Sequence, residues 1–430
     1  MGTQYISALD YILLILVAGI IYIVAYQVRN KRYNSNNPVR RYFIPALSVK
    51  LLGAVFIGLI YTYYYKGGDT FNFFHDALII NQSLSESIQS WWLLMTHHAD
   101  AYHPAIYKYT SQLYWYTDTP SFNVSRVTAI FGLVTFNTYL PSAALFAAIS
   151  FSGVWALYIT FYKIKPHLYK SLAYCFLFIP SVFIWGSGIF KDTICLFGLG
   201  WLVYFSVNAF IFKRRVMYNV LWALVMFIIV ATTKVYIIVA FIPALMFWIL
   251  FTKTKQIRNN VVRVFANLII TTVGLGSLIF LASRFEKELG KYSLNTVFTT
   301  AQNTRGWISY ATSEEGSRYD LGTIEPGTAG LISKAPAAIN VTLFRPYLWE
   351  SKKPIVLLSA LESFFFLVFT LYVLWKVGFL KFFRTIFNDP HSRFCILFAL
   401  VFSFAVGISS YNFGALSRYK IPGIPFYAAG

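Results

Sequence analysis

The chain has 430 residues, of which 57% are hydrophobic and 20% aromatic, while only 12% carry a charge. A water-soluble protein of this length needs more polar surface than that, so a soluble fold is excluded. The net charge of +20 comes from basic residues set in short clusters between apolar runs; that is the footprint of membrane topology, and nucleic acid is excluded as a partner.

Repeated apolar stretches of about twenty residues, each able to cross a hydrocarbon layer of ~30 Å, predict an all-α polytopic integral membrane protein. About ten membrane helices are expected, centred near residues 18, 53, 150, 178, 203, 224, 244, 273, 365 and 402. The first, residues 9–28, has no basic stretch before it and no small-residue cleavage site after it, so it reads as a retained helix.

Alternate connections carry the basic residues: Arg29 to Arg41, Lys163 to Lys170, Lys213 to Arg215, Lys253 to Arg263 and Lys376 to Arg393. Together they hold 19 basic residues against one acid, Asp389. Basic residues favour the cytoplasmic side, which puts both termini and the other connections outside. Two outside loops are long, residues 64–126 and 284–353. In the first, "SLSESIQSWWLLMTHHADAYHPAIYKY" spaces its aromatic residues as short interfacial helices do. No period of 20 to 50 residues repeats, and residues 1–430 read as a single transmembrane domain. Cys175, Cys195 and Cys395 are scattered through apolar runs and form neither a disulfide framework nor a metal cluster.

The chemistry-bearing residues stand at the outer mouths of the helices. "YYYKGGDTFNFFHDA" ends an apolar run and presents Asp69 after two glycines, with Asp76 seven residues on. Asp69 is either a plain helix cap or a general base at the membrane surface. In "FIPSVFIWGSGIFKDTICLFGLGWLVYF", Pro180, Gly186, Ser187 and Gly188 interrupt two apolar segments, and Lys191 and Asp192 follow at once. Charges at such a level are costly and usually belong to a site. Lys234, Arg345, Arg418 and Lys420 add cations on the same side, and Glu362 adds an acid inside the ninth helix. External cations in this number fit a phosphate-bearing ligand held at the outer leaflet, since Arg grips phosphate bidentately and Lys supplies a point charge. His97, His98, Asp100 and His103 in "HHADAYH" are weak metal candidates that match no strong spacing. The sequence requires no cofactor; a divalent metal is compatible with it but not indicated.

"GGDTFNFFHDA" resembles the first-loop acid of the GT-C superfamily of polytopic glycosyltransferases, which use polyprenyl-phosphate sugars. "PSVFIWGSGIFKDTICLFGLGWLVY" is similar to a hairpin found in many of that superfamily, and "LFRPYLWE" and "SRYKIPGIPF" look like segments of bacterial surface-polysaccharide membrane proteins. The resemblance covers residues 43–215, with patches toward the C-terminus. One departure is the extra helix ahead of the one leading into the first large loop. The resemblance implies a lipid-linked sugar donor, a glycan or lipid acceptor, and a bacterial inner membrane with the active face toward the periplasm. It implies Asp69 as base in an inverting transfer. Lys191, Lys234, Arg345, Arg418 and Lys420 would serve the donor phosphate, with Asp76, Asp192 and Glu362 in support. Two other readings are a surface-polysaccharide polymerase or ligase and a transporter or flippase of a phosphorylated lipid.

Overall fold

The structure is a computed structural model that describes residues 5–97, 102–255, 257–259, 261–266, 268–269, 272, 318–322 and 328–430. The protein is all-α and polytopic: among the described residues there is no named strand, and eight helices are long and apolar enough to cross a membrane. The described chain divides into two compact units, residues 1–207 with 217–234, and residues 208–216 with 235–430. Of the expected helices, the one centred near residue 273 lies outside the described residues.

The first unit opens with α1 (Ala8–Arg32), which starts at a capping box between Ser7 and Asp10 and ends in Arg29, Lys31 and Arg32. Asp10 is buried, and its other carboxylate oxygen accepts the Leu140 N–H at 3.0 Å. One acid thus ties the first turn of α1 to that of α7 (Tyr139–Ile164). Following α1, α2 (Arg40–Leu59) continues through a π-turn at Ile60–Tyr64. Lys66, Gly67 and Gly68 then take successive positive φ values of 54°, 143° and 123°. The last two suit glycine alone, and a Cβ on Gly68 would stand 2.8 Å from the Tyr61 ring.

That turn launches α3 (Asp69–Glu86), followed by α4 (Ile88–Thr96), α5 (Tyr107–Thr110) and α6 (Thr119–Val134). These helices bury a core of their own, in which Ile80, Leu94, Ile106, Phe122 and Ala129 are closed from solvent. The first long loop is therefore a packed helical cap. Apolar side chains at helical spacing fill it, each fully buried one contributing about 1.5–3 kcal/mol.

The segment centred near residue 178 forms two short helices, α8 (Tyr169–Leu177) and α9 (Pro180–Trp185). Proline lacks the N–H needed to continue a helix and holds the preceding residue extended, as it does Ile179 at φ −71°, ψ 123°. Next comes α10 (Lys191–Ser206), which packs on α7 more closely than side chains allow: a Cβ on Gly200 would fall 1.9 Å from the Gly153 carbonyl oxygen. Small residues let helix backbones meet in this way. The unit closes with α11 (Val216–Thr233).

The second unit contains α12 (Val235–Thr254), α13 (Thr328–Ser333), α14 (Ala335–Phe344) and α15 (Pro354–Val377). It ends with α16 (Phe379–Asn388), α17 (Pro390–Ser410), α18 (Phe413–Tyr419) and α19 (Ile424–Ala429). Trp248 of α12 stacks on Phe394 of α17 at 4.1 Å and donates to Nδ1 of His391 at 2.9 Å. Gly407 of α17 lies against the Ala338 carbonyl of α14, where a Cβ would meet that oxygen at 2.2 Å.

Candidate functional site

In the first unit the ends of the helices sort by charge. At one end Arg41 donates to the Tyr169 hydroxyl at 2.7 Å, and Lys163 lies 4.8 Å from the centre of the Tyr204 ring. At the other end stand the first turns of α3, α6 and α10. Asp69 is the first residue of α3 and is half-buried, with Gly68 as the capping residue. A carboxylate in a first helical turn sits favourably in the helix dipole.

Tyr61 joins two of these helix starts. Its ring faces Gly68 and Phe71 on one side and lies 5.7 Å from Phe190, the residue before α10. Lys191 follows, and its Nζ donates to Asp118 at the start of α6 at 3.0 Å. Asp118 also accepts from the Ser121 hydroxyl. The Lys191 side chain is 20% exposed and that of Asp118 46%, so solvent or a ligand can reach the pair. The starts of α6 and α10 therefore bring one carboxylate, Asp118, to one accessible ammonium, while Tyr61 links the turn ahead of Asp69 to the residue ahead of Lys191.

The neighbouring charges are arranged differently. Asp192 accepts from Lys234 Nζ at 2.5 Å, with side chains 0% and 8% exposed. This pair clamps the first turn of α10 to the end of α11, and closed from solvent it serves the scaffold. Asp76 is wholly buried in α3 and accepts the N–H groups of Tyr114 and Trp115 at 2.9 and 3.0 Å. Burial pushes its carboxyl above the usual range, against the pull of those two N–H groups. Asp76 is thus a strut that holds the chain ahead of α6.

Lys50 carried no role in the sequence reading. It is 1% exposed in mid-α2, and its Nζ donates to Ser150 Oγ at 3.0 Å, the Val182 carbonyl at 3.0 Å and the Gly186 carbonyl at 2.8 Å. Three donors meet three acceptors, two of them carbonyls from the broken stretch at α9. A single lysine inside the apolar run "ALSVKLLGAVF" was the signal that marked it.

In the second unit, Arg345 follows α14 and donates from Nε to Glu350 at 3.0 Å, with a second bond from its other nitrogen. Burial raises the Glu350 carboxyl, but the Arg345 fork and the Tyr347 N–H outweigh it and hold the group below its usual range. The Arg345 guanidinium also lies 5.4 Å from the Phe413 ring centre. Ser363 links the rest: its hydroxyl donates to the Arg345 carbonyl at 3.0 Å and accepts from Lys420 Nζ at 2.9 Å. Glu362 lies 3.8 Å from Lys420. Arg418 lies in α18, six residues before α19 begins, 5.8 Å from the Tyr419 ring centre.

Of the histidines, His97 and His103 have ring centres 5.0 Å apart, whereas His98 and Asp100 lie outside the described residues. Among the described residues no group of three His, Cys, Asp or Glu side chains is placed to hold a metal ion.

No family model matches this chain, and neither the curated proteins nor the solved structures give a match. Fold and site define a class, an all-α polytopic integral membrane protein. In the first unit an acid-bearing helical cap is joined to its long apolar helices.

Proposed function

We propose that the protein is a membrane glycosyltransferase that moves a sugar from a polyprenyl-phosphate donor to an acceptor hydroxyl, on the periplasmic face of a bacterial inner membrane. The observation that carries this reading is the accessible Lys191–Asp118 pair, with Tyr61 in contact both with the turn ahead of Asp69 and with Phe190 ahead of Lys191. In the proposed step Asp69 takes the acceptor hydroxyl's proton while the oxygen bonds to the anomeric carbon from the face opposite the phosphate. The bond from that carbon to the phosphate oxygen breaks, and the lipid phosphate leaves with the electron pair. Lys191, turning from Asp118, meets the charge that develops there. Asp192 and Lys234 hold α10 in place, and Asp76 holds the cap.

A transporter would share the broken segment at α8–α9, since unwound backbone carbonyls can coordinate a passing ion. Here Lys50 engages the Val182 and Gly186 carbonyls, which favours the enzyme. A polymerase or ligase would run the same step on a larger lipid-linked glycan, so acceptor choice separates those readings.

The test uses purified protein with a radiolabelled polyprenyl-phosphate sugar, with donor binding and transfer measured separately. Asp69→Asn keeps the side chain's size but cannot accept the proton. Transfer should fall by a factor of ~10² to 10⁴ with donor binding retained. Turnover at the wild-type rate by this variant removes Asp69 from the mechanism, and absence of transfer by the wild type across lipid and glycan acceptors removes the enzyme.

A further inference from the structure

The second unit holds a concentration of cations that the proposed transfer does not use. Where α12 ends and α17 begins, two adjoining cavities of about 700 and about 480 Å³ share Lys255, Arg384 and Asn388 in their walls. Lys381 lines the first, and Arg263 and Arg393 line the second. Among the described residues five cations thus face one acid, Asp389. Its carboxylate caps α17 by accepting from the Ser392 N–H at 3.1 Å and the Ser392 hydroxyl at 2.8 Å. The Arg393 guanidinium lies 4.2 Å from the Phe251 ring centre, and its Nε is buried with no hydrogen-bond partner among the described residues. A buried donor of that kind is costly to leave unmet and marks a place for an acceptor.

The helix α16 beside these cavities indicates where that acceptor comes from. Gly378, at φ 82°, turns the chain from α15 into "FLKFFRTIFN". At 100° per residue its apolar side chains, Phe379, Leu380, Phe383 and Phe387, gather on one side, and Lys381, Arg384, Thr385 and Asn388 on the other. The apolar side is exposed, with Phe379 at 65% and Leu380 at 84%; all four polar residues line the first cavity, and Leu380 and Phe387 reach the cavity rims from the apolar side. A short helix of this pattern lies in the plane of the membrane interface, with its apolar face among the acyl chains. Its polar face then opens the cleft at the depth of the headgroups.

We propose that this cleft binds the phosphate of an anionic lipid headgroup, gripped by the guanidinium forks of Arg384 and Arg393 and by Lys255 and Lys381 as point charges. The connections at this end belong to the 19-cation set, and basic clusters on the cytoplasmic side are the ones that anionic lipids reward. The inference is independent of sugar transfer.

The test reconstitutes the full-length protein in vesicles of phosphatidylcholine alone or with added phosphatidylglycerol, and reads thermal unfolding and the lipid retained on extraction into detergent. Phosphatidylglycerol should be retained selectively and should raise the unfolding temperature. Each of Lys381→Gln and Arg384→Gln should weaken retention about fivefold, and the pair about twenty-five-fold. Lys108→Gln, which removes a cation on the cap, should leave phosphatidylglycerol retention unchanged. The Lys381 and Arg384 variants should unfold like the wild type in phosphatidylcholine, since their side chains line an open cleft. If soluble inorganic phosphate reproduces the stabilisation and competes with the lipid, the phosphate site stands and its natural occupant is soluble. Equal retention of both lipids, or retention of phosphatidylglycerol by the double variant at the wild-type level, overturns the proposal.

Discussion

Exchanging Lys50 for Met removes the three-donor nitrogen and keeps the length of the side chain. The Val182 and Gly186 carbonyls and the Ser150 hydroxyl then lose their partner. Ser150 can turn its hydroxyl to a carbonyl of its own helix, and the Val182 carbonyl keeps the Gly186 N–H at 3.2 Å, so the Gly186 carbonyl alone is left without its donor. A buried carbonyl left without a donor costs roughly 1–3 kcal/mol, about 2 kcal/mol at mid-range. Relief from desolvating the amine acts in the other direction. Apolar replacement of a buried charge gains when every partner is replaced as well, whereas removal of one partner alone costs about 3–5 kcal/mol. A backbone carbonyl cannot be replaced, so the loss wins, by about 2 kcal/mol. Thermal unfolding in one detergent, with wild type and variant side by side, measures it. Ser150→Ala is the control, with an expected loss of about 1 kcal/mol. Lys50→Met as stable as wild type would refute the reasoning, because it would mean that the Gly186 carbonyl finds another donor.

The buried Asp192–Lys234 pair should behave likewise: Lys234→Met alone destabilises by about 3–5 kcal/mol, and adding Asp192→Leu restores most of the loss. Additive losses in that cycle would show that the two side chains do not act as a pair. Glu350 provides a pH dependence. Its folded carboxyl titrates below the unfolded value of about 4.3, so its stabilisation is complete above that value and is lost as pH falls through the folded pKa. Unfolding temperatures of wild type and Glu350→Gln should therefore converge on acidification below pH of about 4; a constant gap removes Glu350 from that role.

Apolar runs are long and their physics is local, so the all-α membrane fold was legible in the sequence. Pro180 likewise announced the break before α9. The nitrogen that stabilises that break comes from Lys50, more than a hundred residues earlier, and nothing near Pro180 points to it. Asp76 shows the opposite difficulty. An acid beside Asp69 reads as a site residue, yet its two N–H partners at Tyr114 and Trp115 make it a strut, and only tertiary packing tells the two apart. Arg345 and Glu350 stand five residues apart in "FRPYLWE", so that fork was available to sequence reasoning, as was Asp118 ahead of Thr119 and Pro120 as a helix start. The Lys420–Ser363 bond, spanning 57 residues, was not.

The glycine contact between α7 and α10 works as a fulcrum. Nine residues separate Gly200 from Lys191, an arm of about 14 Å at 1.5 Å per residue. With no side chain at either glycine to act as a shim, the two backbones fix the angle at which that arm projects. A methyl at Gly153 or Gly200 would have to wedge the helices apart, and a tilt of about 10° on this arm moves its tip by about 2.4 Å. Lys191 and Asp118, now 3.0 Å apart, would then be drawn out of hydrogen-bond reach. A substitution in the middle of the helix pair thus has its consequence at the mouth, in the aim of a lysine it never touches.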